Sequence, residues 1–555
     1  MLTLLDTGKV VIIAETRVTA KLEAAEFPPP ISRRMSTVRN VLFVMCDQLR
    51  RDFLSCYGSS PMATPNIDRL AATGVRFDQA YVQSGVCGPS RMSFYTGRYV
   101  SSHGATWNLV PLSAAEHTLG DYLHRAGRSA TLAGKTHVLP DDEALARFGI
   151  EITSERGALL REGGFDVVDR YDGHTPPGPE SGYAGWLRAR GYASADPWSD
   201  YVVSVDDCGR VESGWRMRNV HLPARVAEEH SETAYMTDLA LDWIRAQRET
   251  PWVLHLSYVK PHWPYVAPAP YHAMYSGSDV GAILRGPQDG TADEHPVVRA
   301  YREHDECLAF ADERIARHVR PAYMGLIAQL DHHLGRLLDA LSELGRLRDT
   351  LIVFTSDHGE FAGDRGLGEK ELPYDEIIRV PLIVCDPDPR AEATRGGAEQ
   401  RFVEAIDVAP TILDALAIEG AAHRIEGHSL LPMTRRLDAD SGRDAVFSEL
   451  DYGFRRARRV LGRSVGACRA MMVRTERWKY VHWEGFRPQL FDLERDPREL
   501  RDLGADAAHD DVRMRMRERL FDWLASRKRR TTVTDERVEA RTDAHRAHGI
   551  HIGIW

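Results

Sequence analysis

NVLFVMCDQLRRD, residues 40–52, decides the fold. Residues 41–46 are apolar without a break, and Asp47 and Gln48 follow at once. A short, unbroken apolar run of this kind is the pattern of a strand buried on both faces. TLIVFTSDHGE, residues 350–360, repeats the design: 351–354 are apolar and Asp357 and His358 follow. PWVLHLSYVKPHWPY, residues 251–265, delivers Lys260 and His262 after a third apolar segment, and RVPLIVCDP, residues 379–387, reads as a fourth strand. Helical patterns lie among them at 64–74, 117–127 and 322–345, the last with Gly345 as its stop signal. Strands alternating with helices predict an α/β fold, a large, mostly parallel sheet sandwiched by helices. Ligands of such sheets gather beyond the carboxyl ends of the strands, so Asp47 and the Asp357-His358 pair are expected to face one crevice.

Further along, the texture changes. After about residue 432 the stretches 444–450, 468–485 and 488–500 read as short strands of a small antiparallel sheet, followed by a helix over 511–527. The 555 residues exceed what one hydrophobic core usually serves. The expected organisation is an N-terminal extension over 1–34, a catalytic domain over 35–435, a C-terminal subdomain over 436–530 and a tail over 531–555. The extension is of mixed polarity, carries the breaker Pro28-Pro29-Pro30, and leaves Met35 as an alternative start, with 1–34 then disordered or non-native. The tail ends in HGIHIGIW, 548–555, whose weak alternation suggests a docked strand, and the tail is expected at a subunit interface.

A formal net charge of -10 gives no electrostatic case for nucleic acid, which needs clustered Lys and Arg. The basic run at 527–530 reads as a solvated helix end. Seven cysteines form no C-x-x-C pair, which points to a reducing compartment rather than a disulfide framework. The apolar run at 10–14 is too short for a signal peptide, and nothing approaches the length of a membrane span. The expectation is a cytoplasmic protein without a membrane or nucleic-acid partner.

Asp47 and Asp357-His358 supply carboxylates and one imidazole from two distant strand ends, with Gln48 as a further oxygen donor. Such a set suits a hard divalent ion, and the imidazole tilts the choice from calcium toward manganese, with magnesium a third option. Each Asp alone also fits a helix N-cap. SGVCGPSRMSFYTGR, residues 84–98, places Cys87 four residues before Arg91. Cys87 admits four readings: a buried structural thiol, a metal ligand, a thiolate nucleophile with a pKa lowered by Arg91, or a side chain whose working form is not the thiol.

C-G-P-S-R, with TGR shortly after it, resembles the C-x-P-S-R signature of the type I sulfatases, a branch of the alkaline phosphatase superfamily. The resemblance continues in order through NVLFVMCDQ, GKTHVLP at 134–140, KPHWPY at 260–265 and TSDHGE at 355–360, and spans about 40–503. It implies an alkaline phosphatase-like fold, one divalent metal ion per subunit held by Asp47, Gln48, Asp357, His358 and residue 87, and oxidation of Cys87 to Cα-formylglycine by a maturation enzyme. It further implies that Arg91, Lys135 and Lys370 steady charge, that His262 protonates the leaving group, and that His137 is the base that frees the product. Lys370, twelve residues past His358, matches the family's substrate lysine. Asn108, after His103 and Trp107, matches a polar substrate contact.

PAPYHAMY at 268–275 and the closing GIHIGIW look like the bacterial phosphonate monoester hydrolases and their arylsulfatase relatives, which are cytoplasmic and often oligomeric. Those phosphonate enzymes replace the lysine and histidine of G-K-x-H, which are retained here as Lys135 and His137, the pattern of sulfatases proper. The expectation is an arylsulfatase-like hydrolase of small anionic sulfate monoesters, assembled as a homo-oligomer, a dimer or tetramer. Phosphonate monoesters or phosphodiesters are the alternative, and an unmatured binding protein on the same fold is the third reading. Substrate choice is expected to lie in the loops at 163–188 and 279–295.

Overall fold

Strand β1, Asn40–Asp47, is buried along its whole length, and its side chains divide by parity between two cores. Val41, Phe43 and Met45 enter one, while Leu42, Val44 and Cys46 enter the other. That is the two-faced burial that the unbroken apolar run predicts. The structure is a computed structural model and describes residues 37–58, 60–173, 178, 181–286, 294–436 and 442–553. The extension at 1–34 and Met35 lie outside the described residues.

The remaining strands are β2 Val75–Tyr81, β3 Thr131–Gly134, β4 Asp166–Arg170, β5 Ser204–Asp207, β6 Arg210–Ser213, β7 Val253–Pro261, β8 Thr350–Ser356, β9 Leu382–Cys385 and β10 Ala398–Glu404. Toward the C-terminus follow β11 Ala445–Asp451, β12 Arg469–Thr475, β13 Trp478–Trp483 and β14 Gln489–Asp492. Eight strands form the main sheet in the order β10-β2-β9-β8-β1-β7-β3-β4. Only β9 runs antiparallel to its neighbours. Strands β8, β1, β7 and β3 are adjacent and mutually parallel. Their carboxyl ends therefore deliver Asp357, Asp47, His262 and Lys135 to the same rim.

Helices Pro65–Thr73, Glu232–Ala246 and Glu313–Glu343 pack on one face, and Cys87–Thr96, Leu119–Arg125 and Val408–Ala415 on the other. The long helix departs from the sequence reading. It starts at Glu313, with Asp312 capping Arg314 N, and runs through Pro321 instead of starting after it. Proline disfavours a helix interior, but here Val319, Ala322 and Tyr323 are fully buried against the sheet, and that packing carries the helix past it.

Strands β11 to β14 form the four-stranded antiparallel sheet expected near the C-terminus. One side of it, through Val446, Met472, Val481 and Trp483, joins the core of the main sheet. The other side, through Phe447, Val473 and Tyr480, is covered by Met516, Leu520 and Trp523 of the helix Asp510–Ala525. Both sheets lie within one unit of the chain, Ser36–Trp555. The basic run after that helix is not simply solvated: Arg527 lies 4.1 Å over the Tyr99 ring, and Lys528 Nζ donates to Ile425 O at 2.6 Å. The docked strand expected at the end is absent from its described part. Residues 549–553 hold no strand, and Ile550 and Ile552 are exposed.

Candidate active site

Cys87 is the first residue of the helix Cys87–Thr96, every residue of which is buried. Val86 precedes it in extended conformation and offers no side-chain cap, while Pro89 sits in the first turn, where its missing N–H costs nothing. The orphan amides of this turn find partners elsewhere: Gly88 N donates to Asn108 Oδ1 at 2.7 Å. Ser90 Oγ donates to Asp357 O at 2.5 Å and ties the helix to the end of β8. Arg91 lies one turn beyond Cys87, on the same helix face.

Around Cys87 the candidate ligand atoms of Asp47, Asp357 and His358 converge, and the four groups lie within 4.8 Å of one another, all buried. Each carboxylate turns one oxygen to a cation and the other toward this cluster. Asp47 Oδ2 accepts from Lys135 Nζ and, at 3.3 Å, from Arg91 Nη2, while its Oδ1 is 3.8 Å from Cys87 Sγ. Asp357 Oδ2 accepts from Arg91 Nε at 2.8 Å, while its Oδ1 accepts from Gln48 N at 3.0 Å. His358 Nδ1 is 2.9 Å from Gly359 O, so Nδ1 carries the proton and Nε2 presents its lone pair 3.1 Å from Cys87 Sγ. Two carboxylate oxygens and one oriented imidazole nitrogen fit a divalent cation of the manganese, magnesium or calcium kind.

The charge balance is set by Arg91, Lys135 and Lys370, all buried. Burial pushes the Asp47 carboxyl up, but Lys135, His262, Arg91 and Lys370 outweigh it and hold Asp47 well below the usual carboxylate range. Burial and Asp47 likewise push the Cys87 thiol up, and Lys370, Lys135 and His358 bring it below its ordinary value. Lys370 Nζ lies 3.0 Å from Cys87 Sγ, 3.2 Å from Gln48 Oε1 and 2.8 Å from His262 Nε2. His262 Nδ1 is 2.8 Å from Trp263 O, which fixes the proton on Nδ1 of the neutral ring and leaves Nε2 to face Lys370.

The structure thus brings Asp47, Gln48, Cys87, Arg91, Lys135, His262, Asp357, His358 and Lys370 together. His137, two residues past Lys135, is half-buried in a left-handed backbone conformation, φ 58°. Asn108 uses its carbonyl to cap Gly88, so its Nδ2 is the donor left for another partner. His103 belongs to the scaffold: its Nε2 is 3.1 Å from Ser93 Oγ, and burial with nearby Arg98 lowers its pKa to about 3. Trp107 stacks on Phe454 at 5.8 Å.

Sequence reasoning missed the residues behind these. Glu360 accepts from Gln48 Nε2 and, at 2.9 Å, from Tyr265 OH, and so orients the Gln48 amide. Ser257 Oγ accepts from Arg91 Nη1 at 2.7 Å. Glu232 lies 3.3 Å from Lys260 Nζ and accepts from Trp198 Nε1 at 3.1 Å. Of these, Glu360 alone carried a signal, being two residues past His358 in the same strand-end loop.

The family model described as Sulfatase matches residues 39–418, and that described as N-sulphoglucosamine sulphohydrolase, C-terminal, matches 363–526. The multifunctional alkaline phosphatase superfamily protein PehA of Trinickia caryophylli is 33% identical, over 89% of this chain and 97% of its own length. An arylsulfatase of Clostridium perfringens is 27% identical, over 84% of this chain and 90% of its own. The crystal structure of the phosphonate monoester hydrolase of Agrobacterium radiobacter superposes with a TM-score of 0.75 at 30% identity, covering 88% of this chain and 95% of that one. With its sulfatase match covering more than half its length and these relatives alike over 84–89% of it, the chain belongs to the sulfatase family of the alkaline phosphatase superfamily, hydrolases of sulfuric esters.

Proposed function

We propose that the chain is an arylsulfatase-like hydrolase of sulfate monoesters that works through a formylglycine made from Cys87. The observation that carries it is the convergence on Cys87 Sγ of Asp47, His358 and Lys370, within 3.8, 3.1 and 3.0 Å, in a fully buried site. A divalent ion held by Asp47, Gln48, Asp357, His358 and residue 87 would supply Lewis acidity and favour an ionised oxygen nucleophile near neutral pH. The hydrated aldehyde would supply two hydroxyls on one carbon, one to take the sulfuryl group and one to expel it as sulfate with return of the aldehyde.

The remaining steps belong to this chain's own side chains. Lys135, Lys370 and Arg91 bring three positive charges into a water-poor site, where they favour a tetrahedral anion and the charge that develops on its oxygens. His262, with its Nδ1 proton committed to Trp263 O, takes a second proton at Nε2, where Lys370 Nζ lies 2.8 Å away, and as the imidazolium passes it to the departing oxygen. His137 takes the proton of the second hydroxyl as product leaves, and Asn108 donates to the ester through Nδ2. Arg91 holds the helix turn against both strand ends.

A second reading, hydrolysis of phosphonate monoesters or phosphodiesters by the same groups, is favoured by the likeness to phosphonate monoester hydrolase structures. Lys135 paired with Asp47 favours the sulfate reading, since G-K-x-H is the sulfatase pattern. The proposal includes a maturation enzyme as partner, a homo-oligomer and a cytoplasmic setting. The last is supported by seven cysteines that the structure leaves unpaired.

Intact-protein mass spectrometry together with turnover of 4-nitrophenyl sulfate tests the reading. The expected result is a mass lower by about 18 Da from conversion of thiol to aldehyde, with activity abolished by Cys87→Ala and by chelation. An unmodified thiol in protein from a maturation-competent host, with activity that survives chelation, would overturn it. A phenylphosphonate ester preferred over the sulfate by orders of magnitude in kcat/KM would select the second reading.

A further inference from the structure

Beside His262 the surface is built of tryptophan. The His262 and Trp263 rings stack with centroids 5.4 Å apart and planes 27° apart. Trp263 is half-buried, and Trp215 meets it edge-on at 5.1 Å with an interplanar angle of 73°. Trp215 is 42% exposed. Behind it lies Trp198, 6.1 Å away and fully buried, whose Nε1 donates to Glu232 Oε1 at 3.1 Å. An exposed indole held against a rigid aromatic support is a surface made for contact rather than an incidental side chain.

The backbone under Trp215 is equally fixed. The hairpin of β5 and β6 ends at Gly214, whose N donates to Val203 O at 2.9 Å. A Cβ at position 214 would come within 2.4 Å of Val266 Cγ2 and 2.5 Å of Val203 O. The hairpin therefore returns hard against the segment that follows His262, which fixes the backbone immediately before Trp215. The result is a step of two indoles leading from His262 toward solvent.

We infer that Trp263 and Trp215 form an aromatic wall that receives the aryl part of the leaving group, an inference that rests on the sulfate-ester reading of the same site. The leaving oxygen takes its proton from His262, so the carbon attached to that oxygen must sit beside His262, where the two indoles stand. Rings favour edge-to-face or offset contacts at centroid distances of about 4.5–7 Å, and the Trp215–Trp263 pair already has that spacing. A third ring on the open face extends the same packing. The wall selects esters of phenols over esters of small aliphatic alcohols without touching the sulfuryl group.

Isothermal titration of the matured, metal-loaded protein tests this with benzylsulfonate and ethanesulfonate, inert isosteres of phenyl sulfate and methyl sulfate. Trp215→Ala is expected to weaken benzylsulfonate about fivefold and to leave ethanesulfonate unchanged, with Trp215→Phe keeping most of the affinity. Trp215 is exposed, so circular dichroism is expected to show both variants folded. Equal weakening of both sulfonates, or of neither, overturns the aromatic wall and leaves the sulfate reading intact. Wild-type protein that binds neither sulfonate overturns the sulfate reading and the wall with it. A change in molar mass of Trp215→Ala by light scattering, with benzylsulfonate binding unchanged, would assign the exposed indole to a subunit contact and overturn the wall.

Discussion

Arg91 makes four contacts that a different cation could not make together. Its guanidinium reaches Asp357 Oδ2, Asp47 Oδ2, Ser257 Oγ and the carbonyl of Lys135 at 2.8, 3.3, 2.7 and 2.8 Å. The fork spans three strand ends, and its positive charge lets two buried carboxylates approach one site. Arg91→Lys keeps the charge and loses the fork, so one carboxylate is left without its partner. Breaking a buried pair in this way costs about 3–5 kcal/mol. The expected outcome is a lower thermal midpoint by calorimetry and bound metal well below one ion per chain by elemental analysis, even where the variant stays folded. An unchanged midpoint with full metal content would show that Lys135 alone balances Asp47. Asp47, Asp357 and His358 were legible in the sequence because acid directly after an apolar run is a local pattern. Ser257 was not: a serine inside an apolar strand looks like any tolerated small residue until the neighbouring helix brings Arg91 to it.

At the scale of elements, the carboxyl end of β7 shows how a scaffold residue sets a chemical one. Lys260 is buried, and its Nζ donates to the carbonyls of His262 and Pro264 at 3.3 and 3.2 Å while resting 3.3 Å from Glu232 Oε2. It thereby fixes the bend that aims His262 at Lys370, from an anchor on the helix Glu232–Ala246. Lys260→Met removes the donor and frees the bend, and misplacement of a catalytic group by about 1 Å can cost about 100-fold in rate. Under the proposed role of His262 as proton donor, a loss that acts through it depends on the leaving group. The kcat of Lys260→Met is therefore expected to fall far more for phenyl sulfate, whose leaving group needs the proton, than for 4-nitrophenyl sulfate, whose leaving group departs as the anion. Equal losses on both would assign Lys260 to general stability. Of the strands that carry the site, β1, β7 and β8 were legible as apolar runs and β3, which leads into Lys135, was not; nor were β4 and β10. Strand β3 is four residues long, and β4 and β10 are edge strands whose partly exposed faces break the apolar pattern. The helix Glu313–Glu343 was half legible, because Pro321 reads as a boundary in sequence and is overruled by packing that only the folded sheet supplies.

Across the whole molecule, the C-terminal sheet is joined to the catalytic rim by a buried charge. Lys479 of β13 is fully buried and reaches Asp375 Oδ1 at 2.8 Å and Glu499 Oε1 at 2.6 Å. Asp375 lies five residues past Lys370, in the same segment that leaves the site, so the small sheet buttresses the loop that carries Lys370. Burial pushes the Asp375 carboxyl up, but Lys479, Arg474 and Arg379 overcome it and hold the group well below the usual carboxylate range. Glu499 is pushed the other way, raised chiefly by burial. The sign of the pH effect follows from linkage. A carboxyl whose pKa is depressed by folding contributes its full stability above the unfolded pKa of about 4, and loses it as pH falls toward the folded value. Lys479→Met leaves two carboxylates facing each other without their shared cation, which is expected to cost about 3–5 kcal/mol near neutral pH. Below about pH 4 protonation relieves the variant's repulsion, while in the wild type the stability that Asp375 contributes declines as the unfolded chain takes up protons. The difference in thermal midpoint between wild type and Lys479→Met should therefore be widest near neutrality and narrow as pH falls, read by calorimetry across that range. A difference that stays constant with pH would mean that Lys479 acts through packing of its apolar stem, and that the small sheet is held to the rim by its shared hydrophobic core alone.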